Sequence, residues 1–170
     1  MGKGVPQDYA KAVALNSMAA EKGDEWADIA LGDLYAKGRG VARDYGRAIA
    51  LYRKSADQGN KTALFILGRS YARGEGVPQD YAQAAAFFRK AADRGSASAA
   101  QSLAELYGAG QGVPQDDAEA YFWFSVAAEH LPEDSRADAV AGRDAVMAKL
   151  SEEQLARLRD RVRNWRPTTG

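Results

Sequence analysis

Few side chains in this sequence are placed to do chemistry. His130 is the only histidine and there is no cysteine, so the His/Cys ligand sets of common zinc sites cannot be assembled. A histidine near a predicted helix end instead occupies a place where a cation is favourable. No serine has a lysine three residues on, so the Ser-x-x-Lys arrangement of serine acylases is absent. Adjacent carboxylates occur at Asp116-Asp117 and Glu152-Glu153. Both pairs open predicted helices, where the helix dipole accounts for them better than an acid–base role does. Arg157, Arg159, Arg161, Arg163 and Arg166 form a basic run, but Glu152, Glu153 and Asp160 stand beside it. That pattern reads as a solvated helix face rather than a nucleic-acid site. No catalytic, cofactor-binding or metal-ligating residue is assigned, and the chain reads as a non-enzyme with no cofactor.

Composition narrows the partners. Lys plus Arg equals Asp plus Glu, at 23 each, so no overall field points to nucleic acid or an anionic membrane. The first twenty residues carry no apolar core of a signal peptide, and the most apolar run, AYFWFSVAA at 120–128, is too short to span a bilayer. Neither observation, nor the lack of cysteine, fixes a compartment. At 170 residues the chain is long enough for one domain with a substantial core. Its many alanines and sparse β-branched residues favour helix over sheet.

The elements that would position any site come from a repeat. GKGVPQDYAKA, GRGVARDYGRA, GEGVPQDYAQA and GQGVPQDDAEA begin at Gly2, Gly38, Gly74 and Gly110, a constant step of 36 residues. A fixed period of this size marks a stacked repeat architecture. Each unit resolves into two helices. In the second unit, 45–58 and 61–73 place apolar residues at three- and four-residue spacing. Between them Gly59 suits a helix end, and Asp24, Asn60 and Ser96 recur as candidate N-caps. Ala27-Leu31-Tyr35, Ala63-Leu67-Tyr71 and Ala99-Leu103-Tyr107 line one helix face. Gly32 and Gly68 fall mid-helix, where glycine costs roughly 1 kcal/mol against alanine, which points to close helix approach. The GxG element is a turn: its first glycine closes one helix, its second helps the chain reverse, and Asp8, Asp44, Asp80 and Asp116 cap the next. Neither GxGxxG nor GxxxxGK[ST] is completed, so a phosphate loop is not expected.

The pattern A…LG.LY..G.GV.QDY..A……AA..G, here ALGDLYAKGRGVARDYGRAIALYRKSADQG at 30–59, resembles the Sel-1-like repeat, a relative of the tetratricopeptide repeat, and the bacterial type in particular. The resemblance covers about residues 2–130. The tail RDAVMAKLSEEQLARLRDRVRNW at 143–165 is similar to the closing segment of many bacterial members. The resemblance implies an all-α, right-handed superhelical solenoid of α/α pairs, and adaptor or scaffold work through protein–protein contacts on the concave side. Binding of peptidoglycan-derived or β-lactam-like ligands in the cell envelope is the alternative that it implies.

In that arrangement the first helix of each pair lines the inner surface, and the recurring Leu-Gly-x-x-Tyr fixes its phase. The groove positions are then Trp26, Ile29, Asp33, Ala36 and Lys37 in the first full unit. The second gives Thr62, Phe65, Arg69, Ala72 and Arg73; the third gives Ser98, Gln101, Glu105, Gly108 and Ala109. Core positions repeat and these vary, as a binding surface on a common scaffold does. Trp26, Ile29 and Phe65 would hold apolar groups, and Arg69 and Arg73 a carboxylate. The competing expectation pairs Arg69 with Asp33 and Glu105 and lays Trp26 over the open N-terminal end.

The resulting expectation is one repeat domain over 1–170, with incomplete first repeat, repeats over 2–130 and capping helices over 131–170. Ser151-Glu152-Glu153-Gln154 reads as a capping box that starts the last helix. The chain begins at a turn, so it reads as a fragment, with self-association possible through the open N-terminal end. The expected partner is another protein or peptide segment, with no nucleic acid and no membrane insertion.

Overall fold

A computed structural model describes residues 8–168. The molecule is an all-α, right-handed solenoid, 74% helical, with no strand among the described residues. The repeats begin with helices of 13 residues, α1 (Tyr9–Glu21), α2 (Glu25–Lys37), α3 (Tyr45–Asp57), α4 (Lys61–Arg73), α5 (Tyr81–Asp93) and α6 (Ala97–Ala109). They are followed by α7 (Asp117–His130), a 3-10 turn over Glu133–Ser135, α8 (Ala137–Met147) and α9 (Glu152–Asn164). Consecutive helices from α1 to α8 pack on one another, and α9 packs back on α7.

Local chemistry sets the helix starts. Asp24 accepts from the Trp26 and Ala27 N–H groups, Asn60 from Thr62 and Ala63, and Ser96 from Ala99. Asp8, Asp44, Asp80 and Asp116 cap α1, α3, α5 and α7 in the same way. Each satisfies N–H groups that have no partner inside the helix. The capping box at Ser151 and Gln154 is formed in both directions, at 3.2 and 2.9 Å.

Packing explains the glycines. A Cβ at Gly32 would stand 2.6 Å from the Tyr52 ring, and one at Gly68 would stand 2.5 Å from the Phe88 ring. The mid-helix glycines therefore let an aromatic side chain from the following helix lie flat on the backbone. The second glycine of each turn does more than reverse the chain. Gly40 and Gly112 press on the backbone that opens the preceding repeat's second helix, at Tyr9 and Tyr81, and Gly76 presses on Tyr45. This residue thus sets the spacing from one repeat to the next. Ala48, Ala84 and Ala120 are wholly buried, and Leu67 and Leu103 nearly so, which makes the alanine period the line of tightest contact.

Candidate interaction surfaces

The positions expected to line a groove divide into three groups. Asp33, Lys37 and Arg69 come together at a cleft of about 280 Å³ between α2 and α4, floored by Tyr52 of α3. Asp33 is already engaged there: Tyr52 Oη donates to it at 2.7 Å and Lys37 Nζ at 2.9 Å. Burial and that hydrogen bond to Asp33 push the Tyr52 phenol well above its ordinary range. The Arg69 guanidinium lies 5.8 Å over the Phe65 ring, and it forms no ion pair with Asp33 or Glu105. Arg73 instead approaches Glu75 at 3.8 Å. Gln101 and Glu105 hydrogen-bond each other at 3.1 Å on α6.

Two expected anchors behave differently. Ile29 is a core residue, 8% exposed, and does not line a groove. Its counterpart one repeat on, Phe65, is half-buried and faces Phe88 of α5 at 5.8 Å. This helix phase points toward the following repeat, so a compact aliphatic side chain is absorbed there. Trp26 stands outside the cleft, 59% exposed at the start of α2. Leu15 and Met18 of α1 are similarly exposed.

The opposite face, built from α3, α5 and α7, holds features that the groove argument passed over. Arg53 donates to the Tyr71 hydroxyl at 2.7 Å, and Arg89 donates to the Tyr107 hydroxyl at 2.6 Å. The recurring tyrosines are thus half-buried, with the ring on the core and the hydroxyl held by arginine. Phe87 stacks on Tyr71 at 5.5 Å. One repeat later its counterpart Trp123 lies under Arg89, 4.8 Å from the guanidinium carbon. Helix α9 covers that second arrangement. Arg161 sends two N–H groups to Glu119, which also accepts from Trp123 Nε1 at 3.1 Å. Arg161 also stacks over Phe122 at 3.8 Å, and Trp165 meets the rings of Trp123 and His130 edge-on. Burial pushes the Glu119 carboxyl up, but its bonds to Arg161 and the nearby Arg89 outweigh this and hold it below the usual range.

The two arrangements are repeat copies: Arg53 and Arg89, Tyr71 and Tyr107, Gln83 and Glu119, Phe87 and Trp123 each differ by the same 36-residue step. The Sel1 repeat profile matches residues 1–24, 27–60, 62–96 and 97–130. The chain belongs to the Sel1 repeat family. Among solved structures, this Sel1 chain is similar to c5321, a protective antigen of uropathogenic Escherichia coli with an SLR fold. The two share 30% identity and a TM-score of 0.81, over 96% of this chain and 34% of that one. The chain thus spans about a third of the length of that relative. A Sel1 repeat protein from Oxalobacter formigenes matches at 28% identity and a TM-score of 0.75, over 95% of this chain and 67% of that one. Helicobacter pylori cysteine rich protein B shares the fold, with 22% identity and a TM-score of 0.60, over 78% of this chain and 96% of that one. A search of curated proteins finds no match. Sel1 repeat proteins are generally protein-interaction scaffolds and typically non-catalytic.

The side chains that first looked chemical have structural partners. Asp116 is an N-cap, and Asp117 pairs with Lys149 at 3.0 Å. Glu153 pairs with Arg157, and Asp160 with Arg163. His130 Nδ1 lies 2.9 Å from the Val126 carbonyl oxygen. No cluster of metal-ligating residues occurs among the described residues, and no described helix is long and apolar enough to cross a membrane. One internal charge was missed: Asp28 is wholly buried, its carboxylate reached by Lys54 at 2.9 Å. Its signal was legible, because a carboxylate stands there where the later repeats have Leu64 and Ala100.

Proposed function

We propose that the chain is a non-enzymatic adaptor that seats a partner protein segment against the α2–α4 face. The observation that supports this is Arg69. With Asp33 taken up by Tyr52 and Lys37, Arg69 has no carboxylate within 4 Å among the described residues, yet it stands at the mouth of the cleft with its guanidinium over Phe65. A guanidinium on an aromatic platform offers two parallel donors to an incoming carboxylate. Lys37 adds positive charge, and Ile66 and Tyr52 supply apolar floor.

Selection from a random peptide display library tests the reading. Selected peptides should carry carboxylates, and Arg69→Glu should abolish their binding while thermal unfolding stays near that of the parent. The Phe65→Ala, Arg69→Ala double variant should do the same at some cost in stability, because Phe65 also packs on Phe88. Peptides that bind equally to Arg69→Glu end the proposal for this face. Turnover of nitrocefin by the purified protein would favour the cell-envelope alternative over an adaptor. Exposed Leu15, Met18 and Trp26 support self-association through the α1 end; light scattering across a concentration series tests it.

A further inference from the structure

On the opposite face, α9 reveals what the repeat is built to receive. It delivers Arg161 and, four residues on, Trp165 into the space bounded by Arg89 of α5 and Trp123 of α7. The arginine meets Glu119, and the indole edge meets Trp123. The copy of that space one repeat earlier, between α3 and α5 over α4, is open, with a volume of about 550 Å³. It keeps the arginine (Arg53), the tyrosine (Tyr71) and the aromatic wall (Phe87). It differs in charge: Gln83 replaces Glu119, and Lys90 and Arg94 add cations. Asp57 is the one carboxylate lining the cleft, Asp93 stands beside Arg94 at its edge, and no carboxylate lies within 4 Å of Arg53, Lys90 or Arg94 among the described residues. The chain after α9 reaches the edge of this cleft, where the Thr168 N–H donates to the Asp93 carbonyl at 2.7 Å beside Arg94. The open cleft is therefore continuous with the face that α9 already covers.

We propose that the α3–α5 cleft is a second docking site, and that it takes an acidic helical segment of a partner protein. The segment presents an aromatic side chain one turn after a carboxylate, the mirror in charge of Arg161 and Trp165. The aromatic ring lies against Phe87 and Tyr71. The carboxylate takes the place held by Arg161 next door, beside Gln83, and is met by Arg53, the copy of the Arg89 that lies 3.5 Å from Glu119 there; Lys90 and Arg94, the copies of Val126 and His130, add positive charge at the aromatic end. A positive cleft with an apolar wall favours that combination through charge-assisted bonds and ring contact. The surface is separate from the α2–α4 face, so the two proposals fail independently.

The probes are two synthetic peptides, the segment 152–166 of this chain and the same segment carrying Arg161→Glu, with binding read by fluorescence anisotropy on the intact protein. The Arg161→Glu peptide should bind about tenfold more tightly than the native one, the difference expected for replacing a like charge by an attracting one. Arg53→Glu in the protein should remove that preference. Gln83→Glu, which restores the carboxylate of the filled copy, should reverse it toward the native peptide. Both substituted side chains in the cleft, Gln83 and Arg53, are exposed, and thermal unfolding confirms that each variant is folded. Equal binding of the two peptides, binding of neither, or a preference that survives Arg53→Glu overturns the proposal. So does equal competition by an oligothymidylate, because the cleft would then be a general anion surface.

Discussion

The α5–α7 cleft and the α3–α5 cleft are built from the same three side-chain types in the same register, yet one is sealed and the other is open. Trp123 is 1% exposed, whereas its counterpart Phe87 is only half-buried. Arg89 and Arg53 hold equivalent tyrosines in the same way. What separates the two is an acid, Glu119, where the earlier copy has Gln83, two cations, Lys90 and Arg94, where the later copy has Val126 and His130, and one helix, α9, whose arginine answers the acid. A repeat face can thus be left open or made interior by a few side chains and one covering helix. The scaffold underneath need not change.

The largest expected difference between the two clefts lies in their aromatic walls. Trp123→Ala should cost about 3–5 kcal/mol, as for other buried large-to-small changes. Phe87→Ala should cost about 1 kcal/mol, because a half-buried ring has less transfer free energy to lose. Urea unfolding of both variants checks the contrast, and equal losses would mean that α9 does not seal its cleft.

A Cβ at position 68 tests whether the clefts share one helix spacing. Gly68→Ala pushes against the Phe88 ring and should destabilise by about 1–3 kcal/mol despite alanine's better helix propensity, the usual cost of overpacking. A stability gain in the same unfolding assay would show that the ring can move aside.

The arginines come next. Arg161→Ala leaves the half-buried Glu119, with 22% of its side chain exposed, short of its best partner, at a cost of about 1–2 kcal/mol. Arg53→Ala frees only a hydroxyl that water can reach and should cost less than about 0.5 kcal/mol. Hydrogen exchange should show faster opening of α9 in the first variant and no change in the second.

The smallest effect concerns pH. The folded Glu119 carboxyl titrates below its ordinary value of 4.5. Its ionised form therefore favours the folded state, and that contribution is complete above the ordinary value. It is lost as pH falls through the lower folded one. Asp93 is displaced the other way: burial raises its carboxyl against the pull of Arg89 and Arg94. A comparison of parent and Glu119→Gln melting temperatures isolates the first effect. The gap should be constant near neutrality and close on acidification below about pH 4, the carboxylate range. A gap that persists in acid would mean that Glu119 acts through shape rather than charge.

Much of this was legible in the sequence, because a repeat states its own rules several times over. The 36-residue step, the aspartate caps and the helix-ending glycines each appear at least three times, and local hydrogen bonding alone dictates what they do. Helix boundaries were legible to within a residue or so in the second unit: α3 and α4 run over Tyr45–Asp57 and Lys61–Arg73, against the expected 45–58 and 61–73. Helix phase follows from Leu-Gly-x-x-Tyr, and Asp33, Lys37 and Arg69 share one cleft in the structure. Ile29 was misplaced because phase gives a direction but not what stands in that direction.

By itself, then, the sequence determined the helices, their caps, their period and the backbone contacts that only glycine permits. All of these depend on neighbours a few residues away or on an exact repeat. The tertiary structure alone decided which repeat faces stay open. That outcome rests on Arg161 finding Glu119 across 42 residues of chain and on Trp165 reaching Trp123. No local pattern encodes such a pairing, because the basic run on α9 looks equally solvated until the surface it lies on is known.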